Sequence, residues 1–251
     1  MPRPGLSGRQ RRSRLVIVFG GQGILLDVEG TTSSIAFVYD VLFAYAKEHI
    51  AAFLADHAEV PAVSEAALQL AAETDSAGRL DTPAGRTAIV LAAIDLMNRD
   101  IKSTPLKALQ GMIWRRGFES GRLTAHVFDD VPPVLARWAD SGLDVRIYSS
   151  GSIEAQKLFF SHTAAGDLTG HLRGHYDTTT GPKREQASYA AIAADMQLAP
   201  RQILFISDVG AELDAARAAG MATAAAIRPG NRPLESLYDH EAVESFAEIT
   251  C

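Results

Sequence analysis

Apolar positions change their period along this chain, and the changes divide it. Ile24, Leu25 and Leu26 form an unbroken apolar run that stops at Asp27, and Val28-Glu29-Gly30-Thr31-Thr32 follow as a polar turn. So short and continuous a run predicts a buried strand with carboxylates at its carboxyl end. Open α/β sheets bind their ligands at that end. From Val38 onward Val41, Leu42, Tyr45, Phe53 and Leu54 recur at helical spacing, and 64–73 predicts a second helix. Thr82-Pro83 and Thr104-Pro105 each set a capping hydroxyl before a proline suited to a first helical turn. Each precedes a periodic segment, 89–97 and 106–113, so 33–125 reads as all-helical.

Beyond 125 the pattern alternates. Helices are predicted over 131–141, 153–160, 184–196 and 210–219, and strands over 143–148, 202–206 and 222–227, with a turn-rich loop over 228–233. Alternation of this kind predicts an α/β fold with a Rossmann-like parallel sheet. The expected organisation is a core of 15–32 and 126–251, interrupted by a helical cap domain over 33–125, with the binding site in the cleft between them.

Composition narrows the class. With 47% hydrophobic and 22% charged residues, the chain has enough apolar side chains for a full core, which excludes global disorder. The net charge is −6, yet five arginines precede the first acid, Asp27, so the rest sets 19 basic residues against 30 acidic ones. An acidic body repels nucleic-acid phosphates. A small anionic ligand is compatible with it if a metal supplies positive charge. The only cysteine is Cys251, so no disulfide can form within the chain, and a reducing, cytoplasmic setting is expected. The apolar stretch after the Arg-rich start is too short for a signal peptide, so 1–14 reads as a disordered lead-in. No run approaches the roughly 18 apolar residues of a membrane span. A soluble monomer without nucleic-acid or membrane partners is the expectation.

Four positions carry candidate chemistry. Asp27 and Glu29 stand two apart in a turn, where one carboxylate can attack and the other shuttle a proton, or both can merely solvate the loop. Ser149-Ser150-Gly151-Ser152 joins a strand to a helix, a place that binds phosphate or simply caps the helix. Lys183 can reach an anion as a point charge or stand in solvent. Asp208 ends another apolar run, as a ligand or as a helix cap, with Glu212 and Asp214 just beyond. Taken together, three strands of one sheet ending in suitable residues make coincidence the weaker reading. Asp27, Glu29 and Asp208 form a costly negative cluster unless a cation neutralises it, and oxygen-only ligands point to Mg²⁺. The histidines show no ligand spacing apart from His171 and His175, which read as surface.

The order Asp27, Ser149, Lys183, Asp208 resembles the haloacid-dehalogenase-like phosphatase superfamily. Three longer stretches are similar to the enolase-phosphatases of methionine salvage: Asp27-Val28-Glu29-Gly30-Thr31-Thr32-Ser33-Ser34-Ile35, Leu106-Lys107-Ala108-Leu109-Gln110-Gly111-Met112-Ile113-Trp114, and Tyr148-Ser149-Ser150-Gly151-Ser152 with Glu154-Ala155-Gln156-Lys157. The resemblance spans about 24–248. Ala44 departs from it, standing where a proline is expected, and the first 14 residues lie outside it.

The resemblance implies conversion of 2,3-diketo-5-methylthiopentyl 1-phosphate to an acireductone and phosphate, with Mg²⁺ as the cofactor. It implies Asp27 as nucleophile, and Glu29 as proton donor and base or as a metal ligand. Ser149 and Ser150 would bind phosphate, and Lys183 would offset its charge. Asp208 would hold Mg²⁺, and Glu212 would at most support these groups from behind. The base for enolisation stays open between Glu29 and Lys183. The 106–114 stretch either lines the site or is core of its own helix. The rivals are a sugar-phosphate or phosphoglycolate phosphatase of the same fold, a receiver-like phosphoacceptor and a metal-free dehalogenase. The insert argues against the receiver and Asp208 against the dehalogenase.

Overall fold

The computed structural model describes residues 16–101, 103–232 and 240–251. The lead-in expected over 1–14, residue 15 and part of the expected 228–233 loop lie outside those residues. The described chain opens with β1 (Ile17–Val18) and β2 (Gly23–Leu26), then a π-helical segment, Phe37–Phe43, that runs into α1 (Ala44–His57). Helices α2 (Pro61–Glu73), α3 (Pro83–Asn98) and α4 (Thr104–Glu119) complete the helical stretch. Alternation follows: α5 (Val131–Asp140), β3 (Asp144–Tyr148), α6 (Ile153–Ser161), β4 (Gly174–Tyr176), α7 (Gln186–Asp195), β5 (Ile203–Ser207), α8 (Gly210–Ala218) and β6 (Ala222–Ala226). Two short strands, β7 (Glu241–Val243) and β8 (Ile249–Thr250), close it. No helix among the described residues is long and apolar enough to cross a membrane.

Six strands form one parallel sheet in the order β4-β3-β2-β5-β6-β7, while β1 pairs with β8. The register is what builds a site. Leu26 lies level with Ile147 of β3 on one side and Ile206 of β5 on the other. Asp27 therefore emerges between the ends of both neighbours, and Ser149 and Asp208 each follow two residues past the same level.

Side chains alternate across the pleat. Ile24, Leu26, Ile147, Leu204 and Ile206 pack to one face with Trp138 and Phe160. Leu25, Tyr148, Phe205 and Ala225 pack to the other with Tyr189 and Leu213. Both faces are covered, which is why β2 and β5 read as continuous apolar runs, whereas β3 carries the paired Asp144 and Arg146.

The helical stretch buries an apolar cluster of its own. Ile50, Leu54, Leu70, Ile89, Leu109 and Ile113 are sealed between α1, α2, α3 and α4. Burying each such side chain is worth about 1.5–3 kcal/mol. Thr82 caps α3 as expected, its Oγ1 accepting from the Gly85 amide at 3.1 Å. The α4 cap is a correction. Ser103, not Thr104, accepts the Leu106 amide at 3.3 Å, and Thr104 is already helical. A further correction concerns α7, which starts at Gln186 rather than near 184 because 181–185 form a separate loop. Strands β4 and β7 were not anticipated: at three residues each, with His175 and Glu241 in them, they offer no apolar run.

Candidate active site

Asp27 is almost fully buried at the end of the central strand. Its Oδ1 accepts the Val28 amide at 2.7 Å, and its Oδ2 accepts the Ser207 hydroxyl at 3.0 Å. The carboxylate is fixed by both neighbours. The Lys183 ammonium lies 2.7 Å from Asp27 Oδ1 and 2.6 Å from Glu212 Oε2. Burial by itself would lower the lysine pKa, but the two carboxylates outweigh it and raise it. Lys183 stays an ammonium.

Its loop is held by three hydroxyls. Tyr148 donates to the Gly181 carbonyl at 2.8 Å, Ser188 to the Pro182 carbonyl at 2.8 Å, and Tyr189 to the Lys183 carbonyl at 2.7 Å. Glu212 also accepts the Ser207 hydroxyl at 3.2 Å. It thus contacts Lys183 and Ser207 directly, as a support to them. Burial and the nearby Asp27 push its carboxyl up to about 7, against the pull of Lys183.

Asp208 lies within reach of the charge of Asp27. Burial, then Asp27, push its carboxyl up to about 7, with Glu29 adding in the same direction. Gly30, at φ +70°, backs directly onto it, and a β-carbon there would overlap the Asp208 carboxylate. This donor set suits a hard, oxygen-seeking cation, because two crowded carboxylates are destabilised by each other and relieved by Mg²⁺. The expected three-acid cage is not assembled, however. Among the described residues no group of three or more His, Cys, Asp or Glu side chains is arranged as one. Mg²⁺ sites commonly use only one or two carboxylates and complete the shell with water and substrate phosphate. The pair Asp27 and Asp208 fits that pattern, and Glu29 lies half-buried on the cavity wall.

The Ser149–Ser152 loop caps its helix, one of the two readings open in the sequence. Ser152 caps α6 by accepting the Ala155 amide at 3.2 Å. Ser149, buried, accepts the Gly151 amide at 3.2 Å. Gln156 braces the loop, donating from Nε2 to the Gly151 carbonyl at 2.7 Å and the Tyr176 carbonyl at 2.8 Å. Sequence reasoning missed Asp177, whose Oδ2 accepts the Ile153 amide at 3.2 Å. Recognising β4 would have found it, since Asp177 follows that strand. His171 and His175 do not pair as ligands; His175 Nδ1 meets Gln156 Oε1 at 3.2 Å. Asp214 also lies apart, paired with Arg217 and His240.

A cavity of about 120 Å³ opens beside these groups. Val28, Glu29, Ser149 and Ser150 form its floor, and Val38, Leu42, Phe43, Leu96 and Leu106 from the helical stretch contribute apolar wall. Helix α4 serves both purposes left open above: Leu109 and Ile113 are core, while Leu106, Lys107, Gln110 and Trp114 line the cavity. Two contacts tie α4 to the sheet side. Lys107 Nζ donates to the Ser150 carbonyl at 3.2 Å, and Arg115 pairs with Glu154.

A second missed group stands behind the Asp27 loop. Arg228, buried between the Phe128 and Phe246 rings, donates from Nε to the Thr31 carbonyl at 2.9 Å and from Nη1 to Asp130 at 2.9 Å. Asn231 donates to the Gly30 carbonyl at 2.8 Å. The loop chemistry of 228–233 points to a turn and carries no signal for this contact.

Comparison with known proteins places the chain in a family. The haloacid dehalogenase-like hydrolase family profile matches residues 22–220. Enolase-phosphatase E1 of Pseudomonas syringae pv. syringae (strain B728a) is 47% identical, over 91% of this chain and 96% of the relative. That of Sorangium cellulosum (strain So ce56) is 47% identical over 91% and 97%. The crystal structure of the UTR4 protein of Saccharomyces cerevisiae superposes with TM-score 0.76 at 33% identity, covering 90% of this chain and 99% of that one. A predicted phosphoglycolate phosphatase from Haemophilus somnus 129PT shares the fold at TM-score 0.54 and 14% identity, over 91% and 96%. With that profile over most of its length and relatives 47% identical across nine-tenths of it, the chain belongs to the haloacid dehalogenase-like hydrolases and, within them, to the enolase-phosphatase family.

Proposed function

We propose that this chain converts 2,3-diketo-5-methylthiopentyl 1-phosphate to 1,2-dihydroxy-3-keto-5-methylthiopentene and phosphate, by enolisation followed by ester hydrolysis in one site. The observation that carries the reading is the adjacency of two environments. The buried Asp27–Lys183 pair suits a phosphoryl group, and the next two residues, Val28 and Glu29, open onto an apolar cavity that suits a thioether tail.

In the hydrolytic half the Asp27 carboxylate attacks phosphorus and the bond from phosphorus to the ester oxygen breaks, leaving an aspartyl phosphate. The departing oxygen takes a proton from Glu29. Water then attacks phosphorus, Glu29 accepts its proton, and Asp27 is released with inorganic phosphate. Ser149 and Ser150 contact phosphate oxygens, and Lys183 offsets the charge of phosphate and carboxylate. In the enolising half a base removes a proton from C1, and the C2 oxygen gains one as the C1–C2 double bond forms. Lys183 is poorly suited to be that base, since two carboxylates keep it protonated, whereas Glu29 lines the cavity. Asp27 and Asp208, with Glu29 close by, would hold Mg²⁺. When bound, the ion neutralises charge on the phosphate and the acids.

The deciding assay follows phosphate release and the ultraviolet absorbance of the enolised product together, with Mg²⁺ present. Both signals are expected, and a chelator should abolish phosphate release. Phosphate release without the enolised product would overturn the enolase half. Asp27→Asn should release no phosphate while folding normally, and substantial turnover by that variant would exclude the covalent intermediate.

A further inference from the structure

Gln110 is 4% exposed on α4, and its side chain lines the cavity beside Leu106, Lys107 and Trp114. Its Nε2 is sealed from solvent and has no hydrogen-bond partner. A buried N–H donor left unpaired is costly, and such groups are rare in folded proteins. Nearby polar side chains on the same wall are differently placed. Lys107 donates to the Ser150 carbonyl at 3.2 Å, and Ser103 donates to Glu73 at 2.6 Å. The apolar part of the same cavity wall includes Leu42, Leu96, Phe118 and Phe159. An amide of this kind in an apolar enclosure is a recognition element awaiting an acceptor.

The acceptor chemistry follows from what the amide can do. Rotation about its last torsion, which is broad and two-fold, exchanges the oxygen and nitrogen ends and turns an N–H toward the cavity. A ketone oxygen accepts only. Taken into an apolar cavity it needs a donor from the wall, or its desolvation is uncompensated.

We propose that Gln110 is a specificity residue that donates a hydrogen bond to a carbonyl oxygen of the substrate's 2,3-diketone, so that α4 selects an oxo-substituted phosphate ester over a plain alkyl one. This rests on the enolase-phosphatase reading above for the identity of the diketone. Lys107, one turn earlier on the same face, holds the Ser150 loop against the cavity mouth, so the recognition helix and the phosphate-facing loop are tied together.

The test compares 2,3-dioxopentyl phosphate with pentyl phosphate, reading phosphate release in Mg²⁺ for the wild type, Gln110→Leu and Gln110→Met. The leucine keeps the volume and removes the donor; the methionine keeps the unbranched length and has no donor either. Both should lower the dioxo-over-alkyl ratio of kcat/KM about 10- to 100-fold, the range lost with one hydrogen bond to a buried donor. Thermal unfolding of Gln110→Leu should match or exceed that of the wild type, because an unpaired buried group is gone. A ratio unchanged in both variants overturns the proposal. Failure of the enolase reading shows differently, as wild-type phosphate release from the dioxo ester without an enolised product, and the ratio still reports on Gln110. Absence of any wild-type hydrolysis of the dioxo ester overturns both.

Discussion

Lys183 bridges two acids from different parts of the fold, with its Nζ 2.7 Å from Asp27 and 2.6 Å from Glu212. Removing the ammonium leaves two buried carboxylates facing each other. Lys183→Met should cost about 3–5 kcal/mol of stability, the range for breaking a buried ion pair from one side. It should also lower phosphate release by about 100- to 1000-fold, as loss of one preorganised charge at a reacting centre does. Urea denaturation and steady-state kinetics check the two arms. Unchanged stability would mean the carboxylates are not both ionised around it.

Gly30 is where backbone conformation and metal chemistry meet. At φ +70° it occupies a region that a side chain strains, and its α-carbon faces Asp208 where a β-carbon would overlap the carboxylate. Gly30→Ala should therefore cost about 1–3 kcal/mol. It should also weaken Mg²⁺ binding about tenfold by displacing one of its two candidate ligands, a difference of about 1.4 kcal/mol. Calorimetric titration with Mg²⁺ reads it directly, and unchanged affinity would remove Asp208 from the metal site.

The legible part of this fold and the illegible part differ for physical reasons. Asp27 and Asp208 could be read because β2 and β5, buried on both faces, are written as apolar runs that end visibly, and Ser149 because a Ser-Ser-Gly-Ser turn follows β3. Lys183 could be placed in order but not in contact, since three hydroxyls from distant positions shape its loop. Glu212 and Arg228 act through tertiary approach alone, and no local pattern announces that. The same limit hid β4 and β7, whose three-residue runs are stabilised by neighbours rather than by their own composition. For Gln110 the helical spacing could show the face it shares with Lys107 and Trp114. It could not show that its amide nitrogen lacks a partner.

His175 makes stability pH-dependent. Burial, then the charge of Lys157, lower its pKa to about 4, while in the unfolded chain it would titrate near 6.5. Between those values the folded protein binds fewer protons, so the contribution is full above about pH 6.5 and is lost as pH falls toward 4. With the ring only partly buried and screened by solvent, the loss should be about 1–2 kcal/mol. Asp208 and Glu212, whose carboxyls are pushed up to about 7, work in the opposite sense but are common to both proteins, so thermal melts across pH 4–7 should differ between the wild type and His175→Gln by that slope. An equal slope in the variant would assign the effect to other groups.

Arg228 lies behind the Asp27 loop and touches no expected reacting atom, so the role to test is positioning. Its Nε holds the Thr31 carbonyl at 2.9 Å, and its Nη1 reaches Asp130 and, at 3.0 Å, the Glu244 carbonyl. This ties the turn after Asp27 to the far strand of the sheet. Lysine cannot reproduce that fork, because its ammonium presents one point rather than a planar set of donors. Arg228→Met and Arg228→Lys should both lose about 3 kcal/mol of stability, less than a fully buried pair because Asp130 is partly exposed. The informative readout is kinetic. If the arginine fixes the loop geometry, kcat should fall at least about tenfold while KM changes little, since an interaction felt mainly in the transition state has been loosened. If kcat is unchanged at a temperature where both variants are fully folded, Arg228 serves the fold only, and the placement of Asp27 rests on Ser207 and Lys183.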